Sequence, residues 1–180
     1  MIKRARFQNV FDLAGEIGPW DETLVAPPFA DPQVYMSRGS SPQPFFLICE
    51  KDTLLMQCTG IADVELRYTN MRHTRLEVGD ILYIPAGTPC RIEPQEEAIH
   101  LRFKAITPGL EGVAWFCPSC DAEVWRHEFH AGALPVQQGY LDGCRAFNAE
   151  VGRRICDSCR TVHPQVDITG YSWARTEQPG

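Results

Sequence analysis

Short apolar runs separated by turn residues dominate the middle of the chain, at 34–36, 45–49, 54–56, 64–68, 81–84 and 99–103. Runs of this length bounded by Gly, Pro, Asn, Asp or Ser predict the strands of an all-β barrel or sandwich. One short helix is predicted over 10–16, in a lead-in that is otherwise rich in proline and carries Trp20, Pro27-Pro28 and Asp31-Pro32. The expected organisation is a lead-in at 1–33 that packs on the barrel, a barrel at 34–110 and an extension at 111–180. On the last apolar run the alternation has two readings. His100, Arg102 and Lys104 share one face of the strand, and Ile99, Leu101 and Phe103 share the other. Apolar residues ordinarily take the inside of a barrel. An inward Arg and His would instead form an anion site, because a guanidinium binds carboxylate or phosphate through two parallel hydrogen bonds.

Length and charge narrow the classes. The 180 residues suffice for one substantial domain with a small appendage. A net charge of −6 without a basic stripe argues against a nucleic-acid partner. No apolar run reaches the length of a membrane helix, so no membrane association is expected. The start, Met-Ile-Lys-Arg-Ala-Arg, leads into polar and acidic residues rather than the apolar stretch of a signal peptide, which points to the cytoplasm.

The cysteines change the picture most. Cys117-Pro-Ser-Cys120 and Cys156-Asp-Ser-Cys159 form two matched pairs with 35 residues between them. Each Cys-x-x-Cys places two thiolates at two corners of a tetrahedron, so together the pairs spell an S₄ metal site. The alternatives are two disulfides, or a redox dithiol of the thioredoxin type with a strand before it and a helix after. A single redox dithiol gives no reason for a second matched pair, and nothing points to an oxidising compartment. Four thiolates leave no open coordination position, so such a site is structural. Zinc is the expected occupant and iron the other possibility for this ligand set.

Two sets of residues carry a resemblance. Leu76-Glu-Val-Gly-Asp80-Ile-Leu-Tyr-Ile-Pro85-Ala-Gly-Thr-Pro89 is similar to the second motif of cupin barrels. The tail strings Gly112-Val-Ala-Trp-Phe-Cys-Pro-Ser-Cys-Asp-Ala and Arg154-Ile-Cys-Asp-Ser-Cys-Arg-Thr-Val-His-Pro164 are more specific. With them, residues 34–164 resemble the bacterial 3-hydroxyanthranilate 3,4-dioxygenases, cupin iron enzymes with a rubredoxin-like four-cysteine extension. The resemblance implies an all-β cupin double-stranded β-helix with a small C-terminal four-cysteine metal-knuckle extension, and a homodimer.

That family holds catalytic Fe²⁺ by two His and one Glu, leaving positions open for substrate and O₂. Alignment places Leu47, Thr53 and Cys90 at those ligands. Gln43 and Pro94 stand near the family's two carboxylate-binding arginines, and Arg102 or Phe103 near its acidic residue. Before Cys90 the barrel region contains one histidine, His73, in a polar turn, so no shift of register restores the triad. The facial-triad mechanism is therefore not expected, and any barrel metal would need other ligands.

The candidates that remain are Cys90, His100 and Arg102 for catalysis, and Gln43, Cys49, Arg91 and Arg102 for holding a small-molecule ligand. A Cys90 thiolate beside Arg91 would be a nucleophile, and with Cys49 or His100 a ligand for a soft metal. The plainer role for Cys49 and Cys58 is that of small buried hydrophobes, Cys90 being the exception because the resemblance places it at a former ligand position, and Cys144 is read as a spare thiol. His127, His130 and His163 near the knuckles are read as packing or as hydrogen bonding to sulfur. The aromatic tail Tyr171-Ser-Trp173 either folds back on the barrel or meets another subunit. Two functions follow. One is a diverged enzyme acting on a small anionic metabolite, aromatic or derived from an amino acid. The other is a non-catalytic cupin that binds a ligand or docks a partner. A nucleophilic or metal-bound Cys90 would favour the first, and a pocket filled by Phe45, Leu47 and Leu55 without polar convergence the second.

Overall fold

Residues 7–175 are described in the computed structural model; the basic start at 1–6, on which the reading of targeting rests, lies outside them. The lead-in forms α1 (Val10–Ala14), whose Asn9 cap accepts from the Phe11 N–H, and a two-residue strand β1 (Thr23–Leu24). The strands that follow are β2 (Gln33–Gly39), β3 (Phe46–Cys49), β4 (Thr53–Thr59), β5 (Ala62–Leu66), β6 (His73–Leu76) and β7 (Ile81–Ile84). Then come β8 (Cys90–Pro94), β9 (Ala98–Lys104), β10 (Leu110–Phe116), β11 (Glu123–His130) and the helix α2 (Val136–Ala149). The apolar runs coincide with β2, β3, β4, β7 and β9. The run at 64–68 only overlaps β5, which ends at Leu66; two residues on, Tyr68 turns left-handed at φ 63° and cannot continue a strand.

Two antiparallel sheets result, ordered β1-β2-β9-β4-β7 and β11-β10-β3-β8-β5-β6. Burial alternates along β5 and β8, so that Ala62, Val64, Leu66, Cys90 and Ile92 face the space between the sheets. β10 joins the barrel sheet by pairing with β3 from Glu111↔Cys49 to Ala114↔Phe46. α2 lies flush on β10: a Cβ at Gly143 would stand 2.4 Å from Val113 Cγ2, so only glycine permits that approach. Farther along the helix, the Phe147 ring stacks on Trp115 at 4.1 Å and 8°.

The aromatic tail folds back on the barrel. The Tyr171 hydroxyl donates to the Pro42 carbonyl, and Ser172 donates to the Pro19 carbonyl from its N–H at 3.1 Å and its Oγ at 2.8 Å. Lead-in and tail thus meet over one end of the barrel. Among the described residues no helix is long and apolar enough to cross a membrane.

Candidate functional site

The outer face of β9 is taken up by the lead-in: Ile99 and Leu101 pack with Met36 against Ala14 and Ile17. The polar face therefore turns inward, and His100, Arg102 and Lys104 are 0%, 6% and 8% exposed. Arg102 Nη1 donates to Thr53 Oγ1 at 3.2 Å, and Nη2 lies 3.9 Å from Cys90 Sγ. Cys90 is the cross-strand partner of Leu47. Leu47, Thr53 and Cys90 thus gather around one guanidinium. Among the described residues no carboxylate lies within ion-pairing distance of Arg102. Leucine has no donor atom, threonine is neutral, and burial pushes the Cys90 thiol up despite the neighbouring charge of Arg102. A guanidinium keeps its proton inside proteins, so the centre of the barrel carries a fixed cation.

His100 faces the same interior but is engaged elsewhere. Its Nδ1 lies 2.8 Å from Gln57 Oε1, and its ring stacks on Trp20 at 5.8 Å and 10°. Burial, aided by the Arg102 charge, lowers its pKa to about 3, so the imidazole is neutral near pH 7. Trp20 reaches this position because Gly39 lacks a side chain; a Cβ there would lie 2.4 Å from Trp20 Cε2.

A second polar group joins four distant segments. Lys104 Nζ lies 2.5 Å from Glu22 Oε1 and 2.9 Å from Glu111 Oε1. The Tyr140 hydroxyl sits 2.6 Å from Glu22 Oε2 and 3.2 Å from Glu111 Oε2 and can donate to one at a time. Burial acts to raise the Glu22 pKa, but Lys104, Tyr140 and Arg102 outweigh it and the carboxylate stays ionised below its ordinary range. Burial likewise acts to lower Lys104, and the two glutamates reverse it.

This network stands between two cavities. The inner one, about 20 Å³, is lined by Arg102, Tyr35, Gln43 and Leu47 and covered by Trp20, Tyr140 and Trp173. The outer one, about 250 Å³, is lined by Lys104 and Glu111 with Cys49, Thr53 and Gln33.

The sequence candidates divide accordingly. Cys90 and Arg102 come together, and His100 lies beside them on the same strand face. Cys49 lines the outer cavity, its thiol pushed up to about 12 by burial. Gln43 lines the inner one but works as a strand, taking the Ile92 N–H on Oε1 at 3.0 Å and giving its own N–H to the Ile92 carbonyl at 2.9 Å. Arg91 corrects the expectation that placed it in the pocket. Because Cys90 points in, the next residue points out, and the Arg91 guanidinium lies over the Phe46 ring at 5.1 Å on the outside of the barrel. Glu22, Glu111 and Tyr140 were not anticipated; opposite charge on separate segments was their one signal.

The knuckles repeat one local design. Asp121 N–H donates to the Cys117 carbonyl at 3.0 Å and Arg160 N–H to the Cys156 carbonyl at 2.8 Å, with Asp121 and Arg160 both left-handed at φ 63°. Cys117 and Cys159 sulfurs are 3.4 Å apart, Cys120 and Cys156 sulfurs 3.5 Å, and all four lie within 4.8 Å of one another. A disulfide needs about 2.05 Å. A tetrahedron with 2.3 Å metal–sulfur bonds has edges of about 3.8 Å. β10 leads into the first pair and β11 follows it, without the helix of a thioredoxin motif. The four cysteines therefore fit a bound metal, which would cross-link the two knuckles and has no open position for chemistry. His163 sits edge-on to Phe147 at 5.2 Å, and His127 stacks on Trp125 at 6.1 Å, so both pack on rings.

No protein-family model matches the chain, and no curated protein does. Solved structures do. A hydroquinone 1,2-dioxygenase in complex with Cd²⁺ and 4-hydroxybenzonitrile superposes with TM-score 0.50 and 18% identity, over 55% of this chain and 72% of that one. The hydroquinone 1,2-dioxygenase from Sphingomonas sp. TTNP3 gives TM-score 0.48 and 18% identity, over 55% and 73% of the two chains. A cupin-2 domain protein from Shewanella frigidimarina gives 0.47 and 16%, over 54% and 93%. At such identities the likeness concerns the fold alone: this chain is an all-β cupin barrel with a C-terminal four-cysteine cluster.

Proposed function

We propose that the barrel is a metal-independent binding pocket for a small carboxylate or a similar monoanion, recognised by Arg102, in a cupin whose metal centre is the structural four-cysteine site with Zn²⁺. The observation that carries this reading is the buried Arg102 guanidinium, which among the described residues forms no ion pair with a carboxylate, feels Glu22 only at longer range, and occupies the place where Leu47, Thr53 and Cys90 converge. A buried unpaired cation is costly unless an anion joins it.

Between an enzyme and a binding protein, the geometry favours binding. General acid–base catalysis works best with a pKa near the operating pH. In the interior, Cys49 and Cys90 are raised by burial, Tyr140 is raised by burial and its two glutamates, and His100 is lowered to about 3. The inner cavity of about 20 Å³ holds about one water. Anything larger than a monatomic ion enters only when the residues lining the cavity move apart.

Thermal melts in increasing formate or acetate test this. The Tm of the wild type is expected to climb with either anion at constant ionic strength, and that of Arg102→Met to stay flat. Equal responses from the two proteins would sink the reading. So would a second equivalent of metal that survives Cys117→Ser in a metal analysis.

A further inference from the structure

Arg91 and Arg67 stand on the outside of the six-stranded sheet, where Phe46 and Phe116 form a separate apolar cluster with Ile48 and Ala114. Arg67 lies over Phe46 at 4.8 Å and over Phe116 at 4.6 Å, and its two terminal nitrogens pair with Glu65 and Asp121, each at 2.9 Å. Arg91 is less closely paired. Its ionic contacts among the described residues, to Glu65 and Glu93, are both 3.6 Å, beyond hydrogen-bonding distance. Its Nε is buried without a partner, as is that of Arg67. A buried N–H without a protein partner keeps its capacity to donate to one further acceptor.

The two arginines line a groove of about 400 Å³ between this sheet and the first cysteine knuckle. Phe46, Phe116, Trp115 and Tyr171 give it aromatic walls, Cys117 and Pro118 supply the knuckle side, and Asp167 adds an acid. The Arg91 guanidinium lies 5.1 Å from the centre of the Phe46 ring, its Nη2 is shared loosely by Glu65 and Glu93, and its Nε is left for a carboxylate oxygen. The carboxylates of Asp121 and Asp167 make the groove unfavourable for a dianion such as phosphate. A monoanion with a flat apolar body suits it.

We propose that this groove is a second ligand site, distinct from Arg102, that binds a planar aromatic carboxylate, with the carboxylate on Arg91 and the ring against the aromatic walls. Because the knuckle forms one wall, the site exists only when the knuckle is assembled. A ligand seated across the sheet and the knuckle then opposes the opening through which the knuckle metal leaves.

Benzoate titrated calorimetrically into the metal-loaded full chain is the test. One site is expected, unchanged within about twofold in Arg102→Met and weakened by about tenfold or more in Arg91→Gln, which loses a charge-assisted pair. Asp167→Asn, at an exposed position, should tighten it, and saturating benzoate should slow transfer of the knuckle metal to a chelator. The inference is overturned if benzoate does not bind, or if Arg91→Gln and Asp167→Asn leave its affinity unchanged. Loss of binding in Arg102→Met but not in Arg91→Gln would overturn it too and would assign benzoate to the barrel. Should Arg91→Gln fail to fold, Asp167→Asn and the metal-transfer rate decide.

Discussion

The knuckles and the barrel interior are both built from polar groups held close together, and they are built in opposite ways. In the knuckles, two strings of four residues each shape their own turn, and four sulfurs come within 4.8 Å. In the barrel, Glu22, Arg102, Lys104, Glu111 and Tyr140 are brought in from the lead-in, β9, β10 and α2. A locally encoded site depends little on the segments around it. An assembled site depends on every segment that contributes to it, and here a guanidinium lies where Leu47, Thr53 and Cys90 converge.

Removing one knuckle ligand should break the contrast most. Cys117→Ser is expected to cost most of the metal's contribution to folding, on the order of 10 kcal/mol for structural zinc. Metal content and circular dichroism should fall together, while any metal held by the barrel would remain. Lys104→Met comes next. It leaves Glu22 and Glu111 buried without their cation, for a loss of about 3–5 kcal/mol in urea unfolding. Adding Glu22→Gln and Glu111→Gln should restore much of it, and a loss under about 1 kcal/mol for the single variant would mean that the carboxylates are solvated.

His100 supplies a smaller effect with a defined sign. Its pKa is lowered in the fold to about 3, so between the ordinary value of 6.5 and about 3 the unfolded chain binds a proton that the native state refuses. Stability should therefore fall as pH drops through that window, by up to about 1.4 kcal/mol per pH unit from this group. His100→Gln should flatten the slope. Glu22, also lowered, adds a loss in the same direction below about pH 4.5 that persists in the variant. The least change is expected from Arg102→Met. Replacing an unpaired buried charge by an apolar side chain should leave stability unchanged or raise it by about 1 kcal/mol, opposite in sign to Lys104→Met two residues away. A marked loss would show that Thr53 and Cys90 satisfy the guanidinium.

Several strands could be read from their apolar runs, but β8 could not. Cys-Arg-Ile-Glu-Pro buries alternate residues and never forms a run. α2 was hidden by Gly139 and Gly143, poor helix formers on any propensity scale, because the need for them lies in the surface beneath: Gly143 sits against Val113. The face of β9 was undecidable from alternation alone, since either set of three residues satisfies period two. Packing of α1 on Ile99 settled it.

What the sequence determined by itself is the four-cysteine cluster and the β-rich barrel, because knuckle spacing and strand periodicity are local properties of the chain. The tertiary structure decided which charges became buried, which partners they found, and that Arg102 faces inward while Arg91 faces out. Those outcomes depend on contacts between segments up to 118 residues apart, as between Glu22 and Tyr140, and no local pattern encodes them.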